Sequence, residues 1–149
     1  MSEFAGQCMC GALRFVAAAP SLWCGHCHCR FCRQAHGAAF VTWVGFPQAS
    51  VRIIADSNAA DGNALHWYQS SKQSRRGSCA RCGTMMFFES TAAPGETHIA
   101  RACIPGAIDR EPEFHTFIDQ KVDWVTADDG LPTFASDDPL LAAYKDVGK

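Results

Sequence analysis

The sequence predicts a mainly β domain that is held together by zinc, with little helix. Short apolar runs with strand-like patterns outnumber helical patterns, and turn residues separate these runs. Nine cysteines are grouped in pairs and clusters rather than scattered along the chain. The length of 149 residues is typical of one domain, so we expect a single zinc-binding domain over residues 1–149.

Strands are predicted wherever a short run is rich in β-branched and aromatic residues. In chain order they are Leu13–Ala17, Ala38–Val44, Val51–Ile54, Leu65–Gln69, Met85–Glu89, Thr97–Ala102, Phe114–Ile118 and Val122–Val125. Turn residues such as Asp61-Gly62-Asn63 and Pro94-Gly95 separate them. This spacing favours sheets over a helical bundle.

Two short helices are predicted. The first covers Cys29–His36 and ends at Gly37, because glycine readily takes the left-handed conformation that closes a helix. The second covers Pro139–Lys145, with Asp137 or Asp138 as the N-cap residue.

Composition and charge exclude several classes of protein. The chain is 48% hydrophobic and 19% charged, which is the balance of a globular protein. Its longest apolar run, Ala38–Phe46, is far shorter than the ~20 residues that a membrane span needs. The first four residues lack the features of a signal peptide, so we expect a cytoplasmic location. The net charge of −2 disfavours nucleic acid as the main partner.

The cysteines allow more than one interpretation. A disulfide framework is typical of small exported chains, whereas this count is odd and the chain is long enough to build its own core. A thioredoxin-like redox pair requires a C-x-x-C motif inside a βαβ unit, and no such unit surrounds Cys79 and Cys82. Zinc explains the spacing best, with an iron–sulfur cluster as the next alternative.

The outer cysteines predict a structural zinc site. Cys8 and Cys10 form a C-x-C motif, and Cys79 and Cys82 form a C-x-x-C motif that is followed by glycine. Four thiolates complete a tetrahedral structural site, so the simplest assignment joins the two pairs. Such a site would connect the first strand to a distant hairpin.

The middle cysteines predict a second, open zinc site. Cys27 and Cys29 point the same way from an extended segment, and Cys32 shares a helix face with Cys29. Three protein ligands with a vacant fourth position are typical of a catalytic zinc, whereas four are typical of a structural one. Cys24 is the residue that could close this site as a fourth thiolate, and the alternative is a small buried apolar side chain. Cys103 takes the same buried interpretation.

Several residues near the middle cluster have two interpretations. His36 lies on the same helix face as Cys29, and it is either an acid–base group or fourth ligand, or a histidine at the helix C-terminus. His28 is expected to make a supporting hydrogen bond rather than to act in catalysis. Phe40 and Trp43 are expected in the core, with a pocket beside the open zinc as the alternative.

Basic side chains gather near the cysteine motifs. They form either a solvated basic face or a rim that recognises a small anionic ligand, since arginine suits carboxylates. They are Arg30, Arg33, Lys72, Arg75, Arg76 and Arg81.

The cysteine motifs, taken in order, resemble those of the glutathione-dependent formaldehyde-activating enzyme family, which includes centromere protein V. The resemblance rests on Cys8-Met9-Cys10-Gly11, on Cys27-His28-Cys29-Arg30-Phe31-Cys32, and on Cys79-Ala80-Arg81-Cys82-Gly83. It implies a β-rich fold of stacked antiparallel β-sheets with two zinc ions per chain: a structural one on Cys8, Cys10, Cys79 and Cys82, and a catalytic one on Cys27, Cys29 and Cys32. Arg33 and Gln34 match polar positions that follow the third cysteine, which makes them candidates for contacts with a thiol ligand.

The family is described as joining formaldehyde to glutathione, formally a carbon–sulfur lyase acting in reverse. The resemblance therefore implies an enzyme that joins a small glutathione-like thiol to formaldehyde or a related aldehyde, or reverses that step. The chemistry of the residues is compatible, because zinc held by three thiolates binds an incoming thiol as thiolate beside its electrophile. The alternative is a non-enzymatic, zinc-stabilised protein-binding module. A third interpretation is nucleic-acid contact through the arginine-rich stretch around Arg75 and Arg81.

Overall fold

The computed structural model describes residues 2–57 and 62–145. It confirms the predicted class, with 39% strand and 14% helix. Within these ranges the strands are β1 (Glu3–Gln7), β2 (Leu13–Ala18), β3 (Trp23–Cys27), β4 (Val41–Pro47), β5 (Val51–Ala55), β6 (Leu65–Gln69), β7 (Ser74–Cys79), β8 (Met85–Ser90), β9 (Glu96–Ala100), β10 (His115–Thr116) and β11 (Thr133–Phe134). No helix in this part of the chain has both the length and the apolar character needed to cross a membrane.

The strands form two sheets. The smaller sheet has the order β1-β2-β5, and the larger has the order β11-β10-β3-β4-β9-β8-β7-β6. Pairing is antiparallel as predicted, except that β10 runs parallel to both β3 and β11. The parallel pairing follows from the long connection that precedes β10, since antiparallel neighbours can be joined by a short hairpin and parallel ones cannot.

The sheets pack through aromatic and aliphatic side chains. Phe15 of β2 and Phe87 of β8 meet edge to face, with ring centroids 5.8 Å apart. Leu13, Phe46 and Ile99 are fully buried around them. Burial of one such side chain is worth roughly 1.5–3 kcal/mol, so this layer is the main apolar contribution to stability.

The helix α1 (Arg30–His36) follows β3 and confirms the short helix predicted there. Cys29 is its N-cap, and the Cys29 Sγ accepts a hydrogen bond from the Cys32 backbone N–H at 3.4 Å. Gly37 ends the helix in the left-handed conformation, with φ of 59°. The second predicted helix is shorter than expected: a 3₁₀ turn covers Pro139–Leu141 only, and Asp138 caps it.

The structure differs from the sequence prediction at several strands. β1, β3, β7 and β11 lie where no strand is predicted, and the predicted strand Val122–Val125 is wrong. There the Lys121 Nζ donates to the backbone carbonyls of Val122 and Val125, which holds a bend. The Trp124 side chain is 74% exposed, so the apolar pattern of this segment does not mark a core strand.

Two glycines let aromatic rings lie directly on the larger sheet. A Cβ at Gly25 of β3 would stand 2.1 Å from the Phe114 ring, and a Cβ at Gly45 of β4 would stand 2.3 Å from the Trp23 ring. Real Cβ atoms do not approach other atoms so closely, so only glycine fits at either position. Both rings line the cavity described below.

Candidate active site and metal centres

The first thiol group joins distant parts of the chain. Cys8 and Cys10 come from the turn between β1 and β2, while Cys79 ends β7 and Cys82 follows it. The four sulfurs all lie within 4.8 Å of one another. The Cys10 Sγ is 3.6 Å from the Cys8 Sγ and 3.7 Å from the Cys79 Sγ. Ligands of a tetrahedral zinc with Zn–S bonds of about 2.3 Å are about 3.8 Å apart, so this spacing suits a zinc ion.

Backbone N–H groups near these sulfurs favour the ionised form of the cysteines, the thiolate. The backbone N–H groups of Leu13 and Cys82 point at the sulfurs of Cys8 and Cys79, with N to Sγ distances of 3.3 and 3.5 Å. Burial opposes ionisation of Cys82, but hydrogen bonds from the Thr84 side chain and backbone outweigh it and lower the pKa of the Cys82 thiol to about 5. The donor set, its spacing and its N–H partners all fit the predicted structural zinc.

The second thiol group lies where β3 meets α1. Cys27 ends β3, Cys29 caps α1 and Cys32 lies in its first turn, and their sulfurs are within 4.8 Å of one another. Among the described residues this group holds three metal-ligating side chains. Cys24 does not join it. Cys24 points to the opposite face of β3, where it is fully buried in the apolar layer between the sheets.

Two N–H donors converge on Cys32. The Trp43 Nε1 is 3.4 Å from the Cys32 Sγ, and the Arg76 Nη1 and Nη2 atoms are 3.6 and 3.8 Å from it. The pKa of Cys32 is held well below its ordinary value, first by hydrogen bonds from Cys27 and Cys29 and then by the charge of Arg76. The same hydrogen bonds raise the pKa of Cys27, because that thiol keeps the shared proton. The group is thus prepared to carry negative charge at Cys32.

A cavity of about 320 Å³ opens onto the second thiol group. Its wall is largely aromatic, from Trp23, Trp43, Phe88, Phe114, Phe117 and Tyr144. Its polar side chains include Arg76, Glu96 and His98. The 3₁₀ turn at Pro139–Leu141 covers one side through Leu141. An apolar cavity with a few convergent polar groups is the usual form of a small-molecule site.

The other candidate residues lie outside this cavity. The His36 ring packs edge-on against Trp43, with centroids 5.1 Å apart, and burial lowers the pKa of its imidazole. The Arg33 Nε donates to the His28 carbonyl at 3.1 Å, and Gln34 lines a separate groove beside Tyr68. Neither Arg33 nor Gln34 is among the described residues that line the cavity.

A chain of polar side chains lies behind the second thiol group. The buried His28 has its Nε2 2.8 Å from the His115 Nδ1, and the His115 Nε2 is 2.9 Å from an Asp129 carboxylate oxygen. The His28 side chain thus bonds to His115, while its Nδ1 has no partner among the described residues, so the hydrogen bond expected to support a metal ligand is not seen. His26, His115 and Asp129 also place their ligand atoms within 4.8 Å of one another, although the hydrogen bonds to His28 and Asp129 already engage both His115 nitrogens.

Sequence reasoning misses several of these polar residues. Glu96, His98 and His115 carry no local motif, and only tertiary pairing brings them to the cavity or to His28. Arg76 is included among the basic residues, but its burial beside Cys32 is not anticipated. No local pattern in Ser-Arg-Arg-Gly-Ser-Cys separates the two arginines, and only the strand β7 turns Arg75 outward and leaves Arg76 3% exposed.

Fold and site together define a small two-sheet β protein with a four-thiol group and a three-thiol group. The family model described as "Glutathione-dependent formaldehyde-activating enzyme" matches residues 3–120, so the chain belongs to that family.

Two further comparisons give a relative in sequence and a protein of similar fold. An uncharacterized lyase of Schizosaccharomyces pombe is 29% identical over 93 residues, which cover 61% of this chain and 61% of the relative. The chain thus matches less than two thirds of the length of that curated relative. A crystal structure of a Rhodobacter sphaeroides protein has a similar fold, with a TM-score of 0.58 and 19% identity over 88% of this chain and 99% of that one.

Proposed function

We propose that this protein is a zinc-dependent carbon–sulfur lyase that joins a small thiol to formaldehyde or a related aldehyde, or reverses that step. One observation carries the proposal: three buried thiols stand together at the wall of an apolar cavity of about 320 Å³. Family membership supports it. The S. pombe relative is named a lyase, which supports the reaction class. Glutathione is the thiol that the family description names, so tests begin with it.

The proposal assigns one zinc ion to each thiol group. Cys8, Cys10, Cys79 and Cys82 would hold a structural ion, and Cys27, Cys29 and Cys32 would hold the second. The second ion, when bound, would supply a position at which an incoming thiol is held as its thiolate. The reaction needs no further reactant, because the thiol sulfur bonds to the carbonyl carbon while the thiol proton ends on the carbonyl oxygen.

The protein's own residues prepare this site. Arg76 and Trp43 fix the Cys32 sulfur through their N–H groups, which keeps its charge in place without reorganisation. The aromatic wall excludes water and holds the reactants close together, and proximity is the main contribution we expect. His36 supports Trp43 from behind, so we assign it a positioning role rather than proton transfer.

Free thiols fit a cytoplasmic location. All nine cysteines are unpaired although several sulfurs lie close together, and a reducing compartment keeps such groups available for metal.

The alternative, a non-enzymatic binding module, would need a closed second site. A fourth protein ligand is the feature that would favour it. The sequence offers two candidates, Cys24 and His36. Cys24 lies on the far face of β3, and the His36 ring packs against Trp43 and is not grouped with the three thiols.

The direct test is exchange NMR of formaldehyde and glutathione with and without the zinc-loaded protein, because the addition also proceeds unaided. We expect faster exchange with the protein, and no acceleration with the Cys29→Ser variant. Equal rates with the native protein, the variant and buffer, for glutathione and for other small thiols, would overturn the enzymatic proposal.

A further inference from the structure

The charge and polarity of the cavity beside Cys27, Cys29 and Cys32 bear on which thiol it accepts. The aromatic rings are arranged in pairs around it, with Trp43 against Phe88, Trp23 against Phe114, and Phe117 against Tyr144. The centroid distances within these pairs are 5.9, 5.8 and 6.1 Å, in that order. Such walls favour an apolar ligand, because burial there removes apolar surface from water.

The charged groups of the cavity already face partners, although the Arg76 Nε makes no hydrogen bond among the described residues. The Arg76 guanidinium faces the Cys32 sulfur and lies over the Phe88 ring, 4.9 Å from its centroid. The Glu96 carboxylate accepts hydrogen bonds from the Trp23 Nε1 at 3.0 Å and the His98 Nε2 at 2.8 Å. Burial of Glu96 raises its pKa, but these hydrogen bonds outweigh that effect and hold the pKa below its ordinary value, so the carboxylate is ionised at neutral pH.

The charges of the site leave no spare cation for an anionic ligand. A zinc ion with three thiolates would carry −1, which Arg76 balances, and a proton on His98 would be balanced by its partner, the Glu96 carboxylate. Glutathione carries two carboxylates, and a carboxylate buried without a cationic partner is costly.

The basic residues that could pair with such carboxylates lie elsewhere. Arg75 forms an ion pair with Glu89, and its guanidinium lies 4.0 Å from the centroid of the Trp67 ring. Lys72 and Arg75 line a separate groove with Glu89. Arg33 is bonded to the His28 carbonyl. Of the described Lys and Arg side chains, only Arg76 lines the cavity.

We propose that the cavity accepts a thiol with an uncharged apolar body, aromatic or branched, in preference to glutathione. This inference rests on the proposed function, since the thiol sulfur is taken to bind beside Cys27, Cys29 and Cys32. It restricts the thiol substrate to one chemical class. The ring of an aromatic thiol would lie among the cavity's aromatic side chains, where a charged tripeptide would leave carboxylates unpaired.

Calorimetric titration of the zinc-loaded protein tests this without relying on turnover. The probes are phenylmethanethiol, 2-mercaptoethanol and glutathione. We expect phenylmethanethiol to bind at least tenfold more tightly than 2-mercaptoethanol, and glutathione to bind no more tightly than 2-mercaptoethanol. Glutathione binding as tightly as phenylmethanethiol, or more so, overturns the inference.

A matched pair of variants tests whether the thiol binds in the cavity. Ala93 lines the cavity and its neighbour Ala92 does not, while both lie in the turn between β8 and β9 and are half-buried. We expect Ala93→Phe to weaken phenylmethanethiol binding tenfold or more with little effect on 2-mercaptoethanol. Ala92→Phe should leave both affinities unchanged. Equal affinities for phenylmethanethiol in the two variants would place its binding outside the cavity and overturn the inference.

Exchange NMR with formaldehyde separates this inference from the proposed function. If phenylmethanethiol binds as expected and exchange with formaldehyde is not accelerated, the proposed reaction fails while the ligand class stands. If glutathione exchange is accelerated and glutathione binds most tightly, the reaction stands and the ligand class fails. If no thiol binds, both are overturned.

Discussion

Arg76 is the charged residue that lies against the second thiol group. It is 3% exposed, and its Nε atom has no hydrogen-bond partner among the described residues. A buried guanidinium is costly unless a negative charge lies nearby, and the Cys32 sulfur is the nearest group able to supply one. Arg76 and the thiol group therefore stabilise each other.

Replacing Arg76 should weaken metal binding at one site only. Residues that orient metal ligands typically contribute about 10–100-fold in metal affinity, so we expect a loss of that size for one of two zinc ions in Arg76→Gln. Competition with a chromophoric chelator measures it. The control is Arg75→Gln, which removes an exposed ion pair with Glu89 on the same strand. An unchanged affinity in Arg76→Gln, or an equal loss in the control, would contradict this role.

Cys24 should be irrelevant to metal content. Its thiol lies in the apolar layer between the sheets, and burial raises its pKa to about 11. We expect Cys24→Ala to retain two zinc ions per chain and to lose about 1 kcal/mol of stability. Metal analysis compares the zinc content of this variant with that of Cys29→Ala, which should lose one ion. Loss of an ion in Cys24→Ala would mean that this thiol is a ligand.

At the scale of the strands, β3 and β4 position the cavity wall through their glycines. Trp23 of β3 pairs with Gly45 of β4, and its ring covers that glycine. Phe114 covers Gly25 in the same way from the segment just before β10. The sheet therefore has no side chain at these two positions, and the rings pack directly on its backbone.

A methyl group at Gly25 should displace the Phe114 ring. We expect Gly25→Ala to cost about 1–3 kcal/mol, the usual range for overpacking. Chemical denaturation of a double-mutant cycle with Phe114→Ala checks the cause, because the cost should largely vanish when the ring is absent. Additive losses in the cycle would show that Phe114 is not the obstacle.

The strands also show which features can be read from the sequence. β6 lies at the predicted residues, Leu65–Gln69, because its alternating pattern reflects one half-buried and one exposed face. β7 escapes prediction, since its sequence Ser-Arg-Arg-Gly-Ser-Cys has low strand propensity and becomes a strand through pairing with β6 and β8.

The two thiol groups are a different case. The spacing within each cysteine motif is a local property of the chain, so the sequence predicts the three-thiol group and the two halves of the four-thiol group, whereas the fold brings those halves together. The cavity, by contrast, is formed by residues from at least six strands and the C-terminal turn, and its polarity follows from tertiary contacts that no local pattern encodes.

For the whole molecule, the four-thiol group connects the turn after β1 to the turn after β7. Structural zinc contributes about 10–16 kcal/mol of apparent binding free energy, comparable to or larger than the 5–15 kcal/mol stability of a typical domain. We therefore expect a strong chelator to abolish the cooperative thermal transition, as followed by far-UV circular dichroism. A chelated sample with an unchanged transition would contradict a structural zinc.

The separation of the ligands along the chain has a consequence for synthesis. Cys27, Cys29 and Cys32 lie within six consecutive residues, whereas Cys8 and Cys82 are the ends of a 75-residue stretch. A growing polypeptide can thus assemble the short-range thiol group long before the other one exists. Until Cys79 and Cys82 are translated, Cys8 and Cys10 are a half-site, exposed to whatever metal or oxidant the nascent chain meets. The order of translation therefore allows the proposed second zinc ion to bind before the proposed structural one.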